Sequence, residues 1–158
     1  RGATVYTMGN GGSAATASHF VCDFNKGISS EVCKKFNVIC LSDNTPIVTA
    51  IANDIGYDDI FLLQLKGSLK KDDLIIAISG SGNSKNIISG RTPYVIGGIE
   101  YAKEIGAEVI GLTGYSGGKL KELADYVMHV PVDDMQITED IHMSFDHMMM
   151  RIFCEKIR

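Results

Sequence analysis

Asp72-Asp73-Leu74-Ile75-Ile76-Ala77-Ile78-Ser79-Gly80-Ser81-Gly82-Asn83-Ser84 is the stretch around which the chain is organised. Two acidic residues lead into a continuous apolar run, the pattern of a parallel strand buried on both faces. The run stops abruptly at hydroxyl residues and glycines, so a core strand ends in a polar loop. Ser79, Ser81 and Ser84 bring hydroxyl donors, and Gly80 and Gly82 permit close backbone approach. A helix starting at Asn83-Ser84 would turn its free N–H groups to the same spot. Together these groups form an anion cradle suited to a phosphate.

The pattern recurs on either side. Residues 3–8 read as a strand running into Gly9-Asn10-Gly11-Gly12-Ser13, followed by the small, helix-compatible Ala14-Ala15-Thr16-Ala17-Ser18-His19-Phe20-Val21. Residues 36–41 make a second strand, then a turn at Ser42-Asp43-Asn44-Thr45-Pro46 in which Pro46 suits the first helical position. Residues 53–57 close that helix, and a further helical piece covers residues 58–69. Residues 107–114 form a fourth strand that again ends in Gly, Ser and Thr, followed by a helix over 118–124. Residues 125–130 form the last strand. Strands alternating with helices imply an α/β fold with a mostly parallel, five-stranded sheet, whose ligand sits at the carboxyl ends of the strands. All three Gly/Ser loops fall at that end.

Residues 83–89 and 99–105 would make one amphipathic helix, but Gly90-Arg91-Thr92-Pro93-Tyr94-Val95-Ile96-Gly97-Gly98 separates them, and a proline with three glycines does not continue a helix cheaply. That stretch is either an extruded loop or an artefact. The final helix carries Ile137, Ile141, Phe145, Met148, Met149, Ile152 and Phe153, more apolar surface than one face needs. It is expected to pack on its own sheet and on a second subunit.

With 158 residues and 45% hydrophobic content, the chain suffices for one domain with a sizeable core, and no composition shift marks a linker. A net charge of −4 without a Lys/Arg cluster argues against a nucleic-acid surface or a polybasic membrane patch, leaving a small ligand. Cys22, Cys33, Cys40 and Cys154 form no C-x-x-C pair, which fits reduced thiols in the cytoplasm. No apolar run is long enough to span a membrane. The chain begins at Arg1 without Met and enters a strand almost at once, as a trimmed fragment would.

Gly9-Asn10-Gly11-Gly12-Ser13-Ala14 with His19 downstream, and Ile78-Ser79-Gly80-Ser81-Gly82-Asn83-Ser84 followed by Gly111-Leu112-Thr113-Gly114, resemble the sugar isomerase (SIS) domain family over nearly the whole chain. Within it they look most like the phosphoheptose isomerases, which convert sedoheptulose 7-phosphate to a heptose 7-phosphate. The resemblance implies a single SIS domain over residues 1–158 and a flavodoxin-like three-layer sandwich. It also implies a homotetramer with sites between subunits, and a phosphorylated sugar whose phosphate is held by Ser79, Ser81 and Ser84 with Ser13 nearby. Asn10, Gly11, Gly12 and Gly80 complete the loops, and Asn53 and Asp54 match a polar pair that contacts sugar hydroxyls. The family's active-site pairs are His-x-x-x-Glu on its first helix and Gln-x-x-x-x-x-x-x-His on its last. At those positions this chain has His19 with Asp23 and Glu139 with His147, so one member of each pair is replaced. Family members often bind zinc through this quartet, which makes His19, Asp23, Glu139 and His147 the implied ligands. The helix that the family carries before its first strand is not among these residues, and residues 90–98 are not part of the pattern.

Independently of the resemblance, His19 and Asp23 are spaced to share a helix face, and Glu139 and His147 lie within about a quarter-turn of one another. Two histidines and two carboxylates suit a zinc-like site. His142 reads as a packed or solvated histidine and His129 as structural. The first loop also fits G-x-G-x-x-A, with Asp43 in place of a ribose-binding acid. The Ser79 loop has no role in a dehydrogenase, which disfavours dinucleotide binding. The reading is an aldose–ketose isomerase in which Asp23 or Glu139 acts as base and His147 as acid. The rival is a non-catalytic phosphosugar-binding module, a sensor or assembly factor.

Overall fold

The computed structural model describes residues 2–31, 35–88 and 97–157. Five strands, β1 (Val5–Gly9), β2 (Val38–Cys40), β3 (Leu74–Ser79), β4 (Glu108–Thr113) and β5 (Tyr126–His129), pair in the order β2-β1-β3-β4-β5. All four pairings are parallel, with Val5 opposite both Val38 and Leu74 and with Ser79 opposite Thr113. The apolar run of β3 is the centre of the sheet, which is why it needs no polar face. Ile75 and Ala77 point into one core and Ile76 and Ile78 into the other.

The first core is closed by α4 (Leu62–Leu65), α5 (Lys85–Ile88), α6 (Gly98–Ile105) and α7 (Gly118–Leu123), through Phe61, Leu65, Ile87, Ile99, Ala102 and Leu120. The second is closed by α1 (Gly12–Cys22) and α8 (Met135–Ile157), through Ala17, Phe20, Phe145 and Met149. The expected three-layer α/β sandwich with flavodoxin-like strand order is what forms.

Two local outcomes differ from the sequence reading. The first helix does not stop at Cys22 but continues as a π-helical segment, Asp23–Ile28, and then a short α2 (Ser29–Glu31). Two polar side chains explain the wide winding. Ser29 Oγ donates to the Phe24 carbonyl (2.9 Å), and the Asn25 carboxamide bonds both the N–H and the C=O of Val38 at 2.9 and 2.8 Å. Asn25 thereby occupies the open edge of β2 where another strand would pair. The segment after α3 (Thr45–Asp54) is not one helix but a 3-10 turn (Tyr57–Asp59) and the four residues of α4. The stretch over 90–98 lies largely outside the described residues; Gly97 and Gly98 open α6.

Candidate active site

In this strand order the chain leaves β1 towards one sheet edge and β3 towards the other, so their carboxyl ends diverge and leave a crevice. Its volume is about 290 Å³. It is lined by Asn10 to Ser13 from the first loop, by Ser79, Gly80, Ser81 and Ser84 from the second, and by Met135 and Glu139 from α8. A larger cleft of about 410 Å³ opens farther along α8, among Lys26, Ser30, Arg151 and Cys154, where no strand-end loop contributes.

The second loop is built around Ser79, which is buried. Its Oγ lies 3.0 Å from Ser84 Oγ and accepts the Gly82 N–H at 3.1 Å, while Ser81 Oγ accepts the Asn83 N–H at 3.3 Å. Gly82 has φ +70°, and a Cβ there would fall 1.9 Å from the Gly117 carbonyl oxygen. That closeness reveals what the third Gly-rich loop does. It does not line the crevice but braces the second loop from behind, with Gly114 N–H on the Gly80 carbonyl (2.8 Å) and Leu120 N–H on the Gly82 carbonyl (2.9 Å).

The first loop is held by its own side chain. Asn10 Nδ2 donates to Asn86 Oδ1, and Asn86 Nδ2 donates back to Asn10 Oδ1, both at 2.9 Å. Asn10 Oδ1 also accepts from the Tyr57 hydroxyl at 2.9 Å. Asn53 and Asp54, by contrast, are exposed at the end of α3, hydrogen-bonded to each other at 2.8 Å, and do not line the crevice. The polar side chain that this segment sends to the loop is Tyr57.

α1 and α8 run side by side in the same direction, with Glu139 against Gly12 and His147 against His19. A Cβ on Gly12 would lie 2.2 Å from Glu139 Oε2, so the Glu139 carboxylate sits directly against the Gly12 backbone. Eight residues farther along α8, about 12 Å of helix rise, His147 meets the end of α1. Its Nε2 is 3.0 Å from His19 Nε2 and 3.8 Å from Asp23 Oδ2, and His19 Nε2 is 3.5 Å from Asp23 Oδ1. Asp23 Oδ2 is buried and has no hydrogen-bond donor. The ligating atoms of His19, Asp23 and His147 all lie within 4.8 Å of one another, a group able to hold a metal ion. Glu139, the fourth member of the implied quartet, is not in that group; its carboxylate lines the crevice instead.

Two further titratable groups of α8 are buried. Asp146 is fully buried with neither carboxylate oxygen hydrogen-bonded, and its pKa is pushed up to about 7, first by burial and then by the charge of Asp23. His142 is buried with Nε2 3.2 Å from the Thr113 carbonyl, and burial holds its pKa below the ordinary value although that carbonyl favours the protonated form. His129 bonds Thr113 Oγ1 through Nδ1 at 3.1 Å. Sequence reasoning missed Tyr57, Asn86 and Asp146, whose partners are distant in the chain.

Parallel strands, a switch-point crevice walled by Gly/Ser loops and an adjoining His/Asp cluster define a doubly wound α/β protein with a candidate ligand site at the strand ends. The SIS domain model matches residues 1–114, and the chain belongs to that family. It is 41% identical over 155 residues to a protein of Thermoplasma acidophilum named probable phosphoheptose isomerase, covering 98% of this chain and 80% of that one. It is 38% identical over 151 residues to the phosphoheptose isomerase of Aliarcobacter butzleri, covering 96% and 75%. The structure of phosphoheptose isomerase from Neisseria gonorrhoeae superposes with a TM-score of 0.80 at 31% identity, over 98% of this chain and 76% of that one.

Proposed function

We propose that the protein is a phosphosugar isomerase interconverting sedoheptulose 7-phosphate and a heptose 7-phosphate, with residues 1–158 acting as one SIS domain. The observation that carries the reading is the adjacency, along α1 and α8, of a serine-walled crevice and a His/Asp cluster. Phosphate binding falls to Ser79, Ser81 and Ser84, with Ser13 and the backbone of Gly11, Gly12 and Gly80 closing the crevice. Isomerisation moves one proton from C1 to C2 and one between the two oxygens, with nothing consumed. Two carboxylates are candidates for the base: Glu139, which lines the crevice, and Asp23, which belongs to the cluster farther along α1 and α8. The base is the one whose amide variant loses exchange of the C1 hydrogen. His147 carries the proton between oxygens.

The cluster's donors fit zinc. Two imidazole nitrogens and a buried carboxylate oxygen without a donor converge, three protein ligands of the kind that leave a position open for substrate. His19, Asp23 and His147 would hold the ion, and the chemistry it would supply there is Lewis-acid polarisation of a carbonyl oxygen. The rest of the reading is a cytoplasmic homo-oligomer, a tetramer by family likeness. It is supported by α8, where Ile137, Ile141, Met148, Ile152 and Phe153 are 38–49% exposed, and by the free thiols of Cys22, Cys40 and Cys154. No described helix is long and apolar enough to cross a membrane.

The test is incubation of the protein, at a measured oligomeric state, with sedoheptulose 7-phosphate in deuterium oxide. Deuterium entering C1 or C2 is expected. Binding without any exchange, in protein assembled as an oligomer, would leave the non-catalytic module as the function.

A further inference from the structure

Asn86 was not read from the sequence as a site residue, does not line the crevice and is 2% exposed. Its carboxamide nevertheless makes a two-way pair with Asn10, which does line the crevice. The inventory of the Asn10 side chain is short. Its oxygen has two acceptor positions, taken by Asn86 Nδ2 and the Tyr57 hydroxyl. Its nitrogen has two N–H groups, one of them given to Asn86 Oδ1. One N–H remains.

We propose that Asn86 and Tyr57 are positioning residues that lock the Asn10 carboxamide so that it offers a single N–H donor to an acceptor oxygen on the sugar, not the phosphate, of the bound sugar phosphate. This rests on the phosphosugar reading of the crevice given above. The pair also ties the two ligand loops together, because Asn86 follows Ser84 by two residues while Asn10 opens the loop after β1. With its oxygen saturated, Asn10 discriminates by polarity: a ligand group that can only donate finds no partner there. A pre-oriented donor loses little freedom on binding, which makes the lock worth more than the contact alone.

The experiment is a double-mutant cycle on the intact chain with Asn10→Ala, Asn86→Ala and Tyr57→Phe. It reads kcat and KM on sedoheptulose 7-phosphate, affinity for inorganic phosphate, and thermal unfolding. Asn10→Ala and Asn86→Ala should each lower kcat/KM about tenfold to a hundredfold, and Tyr57→Phe about threefold to tenfold, with phosphate affinity within threefold of wild type. The Asn10→Ala/Asn86→Ala double variant should be no worse than Asn10→Ala alone, because Asn86 acts only through Asn10. Multiplicative losses in the double variant, or a folded Asn86→Ala with wild-type kcat/KM, would overturn the proposal. Should Asn86→Ala fail to fold, the same cycle is run with Tyr57→Phe, an exposed residue that loses only its hydroxyl, and the same two outcomes decide. Wild-type protein that turns over no phosphosugar defeats the isomerase reading instead. The cycle is then read on the ratio of sedoheptulose 7-phosphate affinity to phosphate affinity, where non-additivity supports the lock and additivity refutes it.

Discussion

His19 and His147 meet edge to face across α1 and α8, their ring centroids 5.0 Å apart at 73° and their Nε2 atoms at 3.0 Å. Both imidazoles therefore aim the same nitrogen at one point. Two imidazoles so placed can share one N–H between them. Asp23 Oδ2, buried and without a donor, faces the same point.

This convergence predicts metal binding. Dialysed protein should take up about one zinc ion per chain, and His147→Ala or Asp23→Asn should lower the affinity about tenfold or more, since each removes one of three protein donors. A chelator should lower the thermal midpoint of the loaded protein by mass action. Wild-type protein with no affinity for zinc would leave the cluster as acid–base machinery alone.

The serine loop predicts a separable binding defect. Ser84 Oγ lines the crevice and is braced by Ser79 Oγ, so Ser84→Ala removes a pre-oriented hydroxyl without touching the His/Asp cluster. A hydrogen bond to a charged group contributes roughly 1.5–3 kcal/mol. Affinity for phosphosugar should therefore fall about tenfold to a hundredfold, as calorimetric titration would show. Zinc uptake should not change.

The strands and the two loops that wall the crevice were legible because each is encoded locally: an apolar run, then glycines and hydroxyls, repeated at strand ends. The π-helical winding at Asp23 was not, because it depends on Asn25 reaching Val38 and on Ser29 folding back to Phe24. The third Gly-rich loop looked like a ligand loop by composition, yet its glycines serve close packing against Gly82. The Asn10–Asn86 pair spans 76 positions, and nothing in either residue's neighbourhood announces the other. Placement of Glu139 apart from His147 follows from helix rise, which the eight-residue spacing contains but the quartet pattern obscures.

Proton transfer predicts a different pattern from binding. Asp23→Asn, Glu139→Gln and His147→Ala remove candidate proton carriers, and loss of a general acid or base typically costs 10²–10⁴-fold in rate. One of the two carboxylate variants should abolish deuterium exchange at C1 while the other leaves it measurable, and that result names the base. Phosphate affinity should stay within a few-fold in all three. If neither carboxylate variant slowed exchange, the base would lie elsewhere.

His142 predicts a pH dependence of folding. Burial depresses its folded-state pKa below the ordinary value of 6.5, so the native state keeps the ring neutral while the unfolded chain still binds a proton. The sign follows: the stabilisation from burying the neutral ring is present above the unfolded pKa and is lost as pH falls below about 6.5 towards the folded pKa. His142→Gln supplies a non-titrating N–H donor in place of the ring's donation to the Thr113 carbonyl. Between pH 7.5 and 5, urea denaturation should show the wild type losing stability more steeply than the variant, by up to about 1.4 kcal/mol per pH unit, the limit for one proton. The difference should vanish above pH 7.5, where both states are neutral at this position. Parallel curves for the two proteins across the whole range would mean that the folded ring titrates as the free one does.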